Sequence, residues 1–115
     1  MSLFHGIIVF EILDNGNVLI LNGIYATSDD FKISNEIAKR EIIEGDKKDI
    51  VGNYESRYIE TLGEPDKVIN CLLKIDKTPG KEVYEFEWTN NEELHQIGIG
   101  IKINSNRIAV SYINA

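Results

Sequence analysis

The sequence predicts an all-β domain of about eight antiparallel strands in a meander that closes into a barrel. Three observations carry this. In Glu82-Val83-Tyr84-Glu85-Phe86-Glu87-Trp88-Thr89 every second side chain is a large aromatic, and the residues between are Val and Glu. Strand side chains alternate between two faces, so Tyr84, Phe86 and Trp88 share one buried face and the acids lie in water. The same rhythm recurs in His95-Gln96-Ile97-Gly98-Ile99-Gly100-Ile101-Lys102-Ile103, which places four isoleucines on one face. Turn residues punctuate the chain at short intervals, as a meander requires.

The elements follow in order. Gly6 to Leu13 forms the first strand and ends at Asp14-Asn15-Gly16-Asn17, where Asn-Gly supplies the positive torsions of a tight hairpin. Val18 to Thr27 is the second. The stretch from Asp29 to Glu44 admits two readings. Ser28 or Asp29 would cap a helix that Ala38-Lys39-Arg40-Glu41 tolerates. Phe31, Ile33, Ile37 and Ile43 nevertheless fall on one face at period two, so a strand from about Lys32 to Ile43 is preferred. Ile50 to Thr61 is the next strand, ending at Gly63-Glu64-Pro65-Asp66. Val68–Ile75 and Glu82–Thr89 join through Thr78-Pro79-Gly80-Lys81, in which Pro pre-sets one torsion and Gly accepts the other. Asn90-Asn91 leads into Leu94–Ile103, and Asn104-Ser105-Asn106 into the last strand, Arg107–Ile113. Isoleucine dominates the apolar set, and its stiff β-branched side chain suits a pleated surface. Closure removes unpaired edges, and an eight-stranded barrel is just wide enough to be filled by side chains or to hold one small ligand. An open β-sandwich is the alternative.

With 115 residues and 43% hydrophobic content, residues 1–115 suffice for one domain with a cooperative core and no metal or disulfide staple. The 19 acids and 12 bases leave a net charge of -7 and a pI near 4.8. Nucleic-acid binding draws on basic side chains, and the densest positive spot, Lys47-Lys48, is cancelled by Asp46 and Asp49. Anionic membranes would repel this surface, and no apolar run approaches the roughly 20 residues that span a bilayer. Neutral or cationic small molecules, or another protein including a second copy, are the expected partners. Cys71 is the only cysteine and lies in the apolar run Val68-Ile69-Asn70-Cys71-Leu72-Leu73, where a buried inert thiol is expected. No charged n-region followed by an apolar core opens the chain, so a reducing cytoplasmic setting is expected.

Gly-x-Tyr occurs in two strands, as Gly23-Ile24-Tyr25 and Gly52-Asn53-Tyr54. With the aromatic strand ending in Trp88 and the Gly98-Ile99-Gly100 segment, this resembles the calycin barrels: lipocalins, fatty-acid-binding proteins and avidins. Val51-Gly52-Asn53-Tyr54-Glu55-Ser56-Arg57-Tyr58 is similar to a streptavidin segment reading Val-Gly-Asn-Ala-Glu-Ser-Arg-Tyr. The resemblance implies a barrel of this kind and carries over Asn53, whose counterpart contacts the biotin head group. It stops there. Avidins stack biotin among several tryptophans, this chain has only Trp88, and Arg107–Ile113 lacks the carboxylate those proteins set near the ureido nitrogen. Biotin is therefore not the expected ligand.

Catalytic signatures are nearly absent. Two histidines, His5 and His95, occur without His-Glu-x-x-His, paired cysteines or Gly-x-Ser-x-Gly. Gly98-Ile99-Gly100 lacks the third glycine and the helix that phosphate cradling needs, and reads as small residues that admit a neighbouring ring or backbone. No metal or cofactor is expected. A ligand in the barrel would meet Tyr84 or Trp88, whichever lies nearer the open mouth, with polar recognition from Arg57, Asn53 and His95 and flanking contacts from Tyr54 and Tyr58. Arg57 lies on the strand face opposite Tyr54, Ser56 and Tyr58. It either enters the barrel, paired with Glu11, Glu36, Glu55 or Glu85, or bridges on the outside. These features point to a non-enzymatic small-molecule-binding barrel. A self-associating or protein-interaction domain with a filled interior is the second reading, and a small enzyme using His95 with a nearby carboxylate the third.

Overall fold

Alternation at period two is realised as eight strands: β1 (His5–Asp14), β2 (Val18–Thr27), β3 (Ser34–Glu41), β4 (Gly52–Glu60), β5 (Lys67–Asp76), β6 (Tyr84–Asn90), β7 (Glu93–Asn104) and β8 (Arg107–Asn114). They come from a computed structural model that describes residues 4–29, 31–43, 49–60 and 67–115. Each strand pairs antiparallel with the next, and β8 returns to β1, closing the barrel. Between Asp29 and Glu44 the described residues form strand at Ser34–Glu41, shorter than the expected Lys32–Ile43, and no helix. The expected turn at Gly63-Glu64-Pro65-Asp66, like Lys47-Lys48, lies outside the described residues.

The turns follow their chemistry. Gly16 and Gly80 have φ of 92° and 81°, as the Asn-Gly hairpin and the Pro-Gly turn require. Asp14 Oδ1 and Asn15 Oδ1 accept from the amides of Gly16 and Val18 at 2.8 and 2.7 Å, which pins the first hairpin. The β6–β7 turn takes its positive torsions from Asn91 and Glu92 instead.

The core fills one half of the bore. Ile8, Phe10, Leu21, Tyr54, Leu73, Ile75, Phe86 and Ile108 are fully enclosed. Ile50 folds over the far end, where its carbonyl accepts the Tyr54 hydroxyl at 2.7 Å. The Arg40 guanidinium stands 5.5 Å from the Tyr54 ring centre at that end. Large rings fit because glycines sit beside them on neighbouring strands. A Cβ on Gly100 would lie 2.6 Å from Phe86 Cε1, and one on Gly98 2.7 Å from the Ser111 carbonyl. The Gly98-Ile99-Gly100 segment thus gives close approach to rings and backbone.

Two strands turn their most apolar face outward. Ile97, Ile99, Ile101 and Ile103 of β7 are exposed, while Gln96, Gly98, Gly100 and Lys102 alternate with them. In and around β3, Phe31, Ile33, Ile37 and Ile43 face solvent, and Ser34, Glu36 and Ala38 are buried. The bore has a fixed capacity, and Phe10, Phe86, Trp88 and Tyr112 use most of it. Strands next to those rings must offer small or polar side chains inward.

Candidate functional site

The barrel is packed at the Ile50 end and hollow at the other. The hollow end holds a cavity of about 380 Å³, within the range typical of small-ligand pockets. Its walls are the N-terminal ends of β1, β3, β5 and β7 and the C-terminal ends of β2, β4, β6 and β8. Such ends gather at one rim in an up-and-down meander. Phe4, Trp88 and Tyr112 form one wall, and Tyr25 and Tyr58 belong to the other. The rings continue the packing below: Phe10 to Phe86, Phe86 to Trp88, Trp88 to Tyr112 and Tyr112 to Phe4 have centroid separations of 6.2, 5.7, 5.3 and 6.2 Å. Tyr25 meets Tyr58 edge to face at 6.1 Å, and the Tyr25 hydroxyl donates to the Ile59 carbonyl.

The floor is a carboxyl. Glu36 of β3 points inward because Ser34, Glu36 and Ala38 share one phase, and it is only 5% exposed. Trp88 Nε1, from β6 on the far side of the bore, donates to Glu36 Oε2 at 2.8 Å. The Ser56 hydroxyl of β4 donates to the same oxygen at 2.7 Å. Oε1 accepts no hydrogen bond from a described residue, and the carboxyl lines the cavity. Burial pushes the Glu36 carboxyl above its ordinary pKa, while the bonds from Ser56 and Trp88 draw it back less strongly. Cys71, next to Ser56 across the β4–β5 ladder, is buried on the same inner wall. Burial first, then the charge of Glu36, pushes its thiol up to about 12.

The residues singled out from sequence divide three ways. Trp88, Tyr58 and His95 come together around the cavity, with His95 exposed at its rim. Tyr54 and Tyr84 are buried away from it, Tyr54 under Ile50 and Tyr84 beneath the ammonium groups of Lys77 and Lys102, at 5.3 and 5.8 Å. Arg57 and Asn53 point outward and are exposed, so Arg57 does not enter the barrel. Asn53, the one residue carried over from the avidin resemblance, does not reach the bore. Arg57 instead lines a depression of about 580 Å³ on the outer wall with Asn70, Asn91 and Glu92. Its apolar lining comes from Ile37, Cys71 and Leu72, and among the described residues it holds no aromatic ring and no buried charge to orient a ligand.

Phe4, Tyr25, Ser56 and Tyr112 are site residues that sequence reasoning did not single out, and Glu36 entered it only as one of four carboxylates that could pair with Arg57. The available signal was the alternation Ser34-Glu36-Ala38-Arg40, which had to be weighed against the isoleucines of the opposite phase. Comparison with protein-family models, with curated proteins and with solved structures finds no match to this chain.

Proposed function

We propose that this protein is a non-enzymatic barrel that binds a small molecule in its open end, as lipocalin-like and other calycin barrels do. The observation that carries the reading is the combination of an aromatic-walled cavity of about 380 Å³ with a buried carboxyl at its floor. Architecture alone would be analogy. A hydrophobic lining with one fixed polar group is what supplies both affinity and orientation. A cytoplasmic setting, with the one thiol inert on the inner wall, accompanies this reading. Native mass spectrometry of protein purified from its own host should show a retained mass, lost in Gln96→Trp, which sets a bulky ring in the mouth. A protein that carries nothing, with Trp88 emission unresponsive to added small molecules, would refute the reading.

A second reading, compatible with the first, is self-association through the outer wall of β7, β8, β1 and β2. Ile97 lies opposite Ile113, Ile101 opposite Ala109, Ala109 opposite Val9 and Val9 opposite Ile24, giving a largely apolar face with Ser111 set between Ile99 and Ile7. Ile7, Ile99 and Ile101 are 62%, 56% and 60% exposed. Including Ile24, Ile97, Ile103 and Ile113, the face shows on the order of 700 Å² of accessible surface. That exceeds the roughly 300–600 Å² of the largest patch on a typical monomer and nears the roughly 800 Å² per partner of a standard interface. The opposite wall carries Lys39, Glu55, Arg57, Lys74, Glu85 and Glu87. A second copy is the occupant that fits, because two such faces meet without bringing like charges together and pack as sheet on sheet. Sedimentation should show a dimer that Ile99→Lys dissociates, and a monomer at high micromolar concentration would exclude it.

A further inference from the structure

Resting on the reading of the open end as a small-molecule site, we propose that its ligand is an organic cation, an alkyl or aryl ammonium whose charged head docks on Glu36 among the rings of Tyr25, Tyr58, Trp88 and Tyr112. Three observations converge. Both donors that reach Glu36, Ser56 Oγ and Trp88 Nε1, end on Oε2. Oε1 has no donor among the described residues and is open to the cavity, on a side chain that is 5% exposed overall. An acceptor that faces a cavity in this way pairs with a ligand that donates, and most strongly with one that is charged.

The walls select for the same sign. Four aromatic side chains surround the space above the carboxyl, and ring faces attract cations through their quadrupole. A ligand presenting a carboxylate or a carbonyl at that point would set negative charge against the rings and beside the Glu36 oxygen. The apolar remainder of an arylalkyl amine would lie against Phe4 and Tyr112, which are themselves in tilted contact at 6.2 Å. The field of the whole molecule agrees, since a net charge of -7 raises the local concentration of cations over anions. Among the described residues Lys32 is the one lysine lining the cavity, and Asp29 and His95 share its rim.

The single tryptophan of the chain is Trp88, so its emission reports on the floor of the cavity directly. The test compares three probes with one phenethyl skeleton: 2-phenylethylamine, 2-phenylethanol and 3-phenylpropanoate, titrated at neutral pH. The amine should bind about tenfold or more tighter than either of the others. Glu36→Gln should remove that margin while leaving the alcohol within about twofold of its original affinity. Tyr58→Leu, at a half-buried position outside the packed core, should weaken the amine more than the alcohol and serves if Glu36→Gln does not fold. An alcohol or propanoate that binds as well as the amine, or a margin that survives both substitutions, overturns the cation assignment and leaves the small-molecule reading standing. No response of Trp88 to any of the three at millimolar concentration overturns both.

Discussion

Replacing Glu36 with Gln should change how stability depends on pH, and by a calculable amount. The amide is isosteric with the carboxyl, and its oxygen can accept from Ser56 and Trp88 as Oε2 does at 2.7 and 2.8 Å. Below the unfolded pKa, where the carboxyl is neutral in the folded and unfolded chain alike, the two proteins should differ by no more than about 1 kcal/mol, the worth of one ordinary hydrogen bond. Burial raises the folded-state pKa of Glu36 above its unfolded value, so the folded chain holds this proton more tightly. Its contribution is therefore fully present below the unfolded value of about 4.3 and is lost as pH rises through the folded one. One proton is involved, so the wild type should lose up to about 1.4 kcal/mol per pH unit relative to Glu36→Gln across that window. Above it the difference should be constant. In a chain of this length, 1 kcal/mol corresponds to roughly 4 °C in Tm. Urea denaturation followed by circular dichroism from pH 4 to pH 9 measures the difference curve, in which titrations common to both proteins cancel. Parallel curves would refute the reasoning, because they would mean that Glu36 titrates as it does in the unfolded chain.

Trp88→Phe keeps the ring stacked on Phe86 but removes the donor to a buried oxygen, and should cost about 1–3 kcal/mol in the same denaturation assay. Gly100→Ala forces a Cβ to within 2.6 Å of the rigid, buried ring of Phe86 and 3.0 Å of Ile108, and the overpacking should cost about 1–3 kcal/mol by thermal melting. Arg57→Ala should change stability by no more than about 0.5 kcal/mol and leave ligand retention unaltered, since Arg57 stands exposed on the outer wall. Cys71 should resist a disulfide-exchange reagent at pH 8 in the native protein and react at once in denaturant, because burial holds the thiol protonated up to about 12.

Much of the barrel was legible in the sequence because strand alternation and turn chemistry are local. Val18–Thr27 coincides with β2, and the Asn15-Gly16 and Pro79-Gly80 turns form where Gly can take a positive torsion. Which phase of a strand faces inward is not local. The aromatic phase of β6 does face inward, since Tyr84, Phe86 and Trp88 are buried. The isoleucine phase of β7 does not, because Phe86 and Tyr112 on its neighbours occupy the space its inner side chains would need, and only Gly98 and Gly100 fit there. Hydropathy ranks two faces against each other but cannot count the volume already taken. The same inversion in β3 hid Glu36, whose burial follows from Ser34 and Ala38 sharing its phase. His95, Tyr58 and Trp88, picked out as imidazole and aromatic groups on strands, lie on the lining of the cavity, His95 at its rim and Trp88 against its floor. Arg57 and Asn53 were displaced from the site by one residue of phase.

The ladders that close the barrel are unequal. β1 aligns with β2 from Gly6–Thr27 to Asp14–Leu19, and β4 with β5 from Gly52–Ile75 to Glu60–Lys67. Between β3 and β4 the register runs only from Glu36–Tyr58 to Lys39–Glu55, and between β5 and β6 only from Leu72–Thr89 to Asp76–Glu85. The β4–β5 hairpin is thus a panel, strongly laced within itself and lightly laced at both seams. Local opening draws on the least cross-linked backbone, so amide protons along these two seams should exchange with solvent before those joining β1, β2 and β8. Ser56 and Tyr58 sit on this panel while Glu36 and Trp88 belong to the strands on either side of it. Swinging of the panel would therefore uncover the inner carboxyl through the wall of the barrel, without any movement at its mouth.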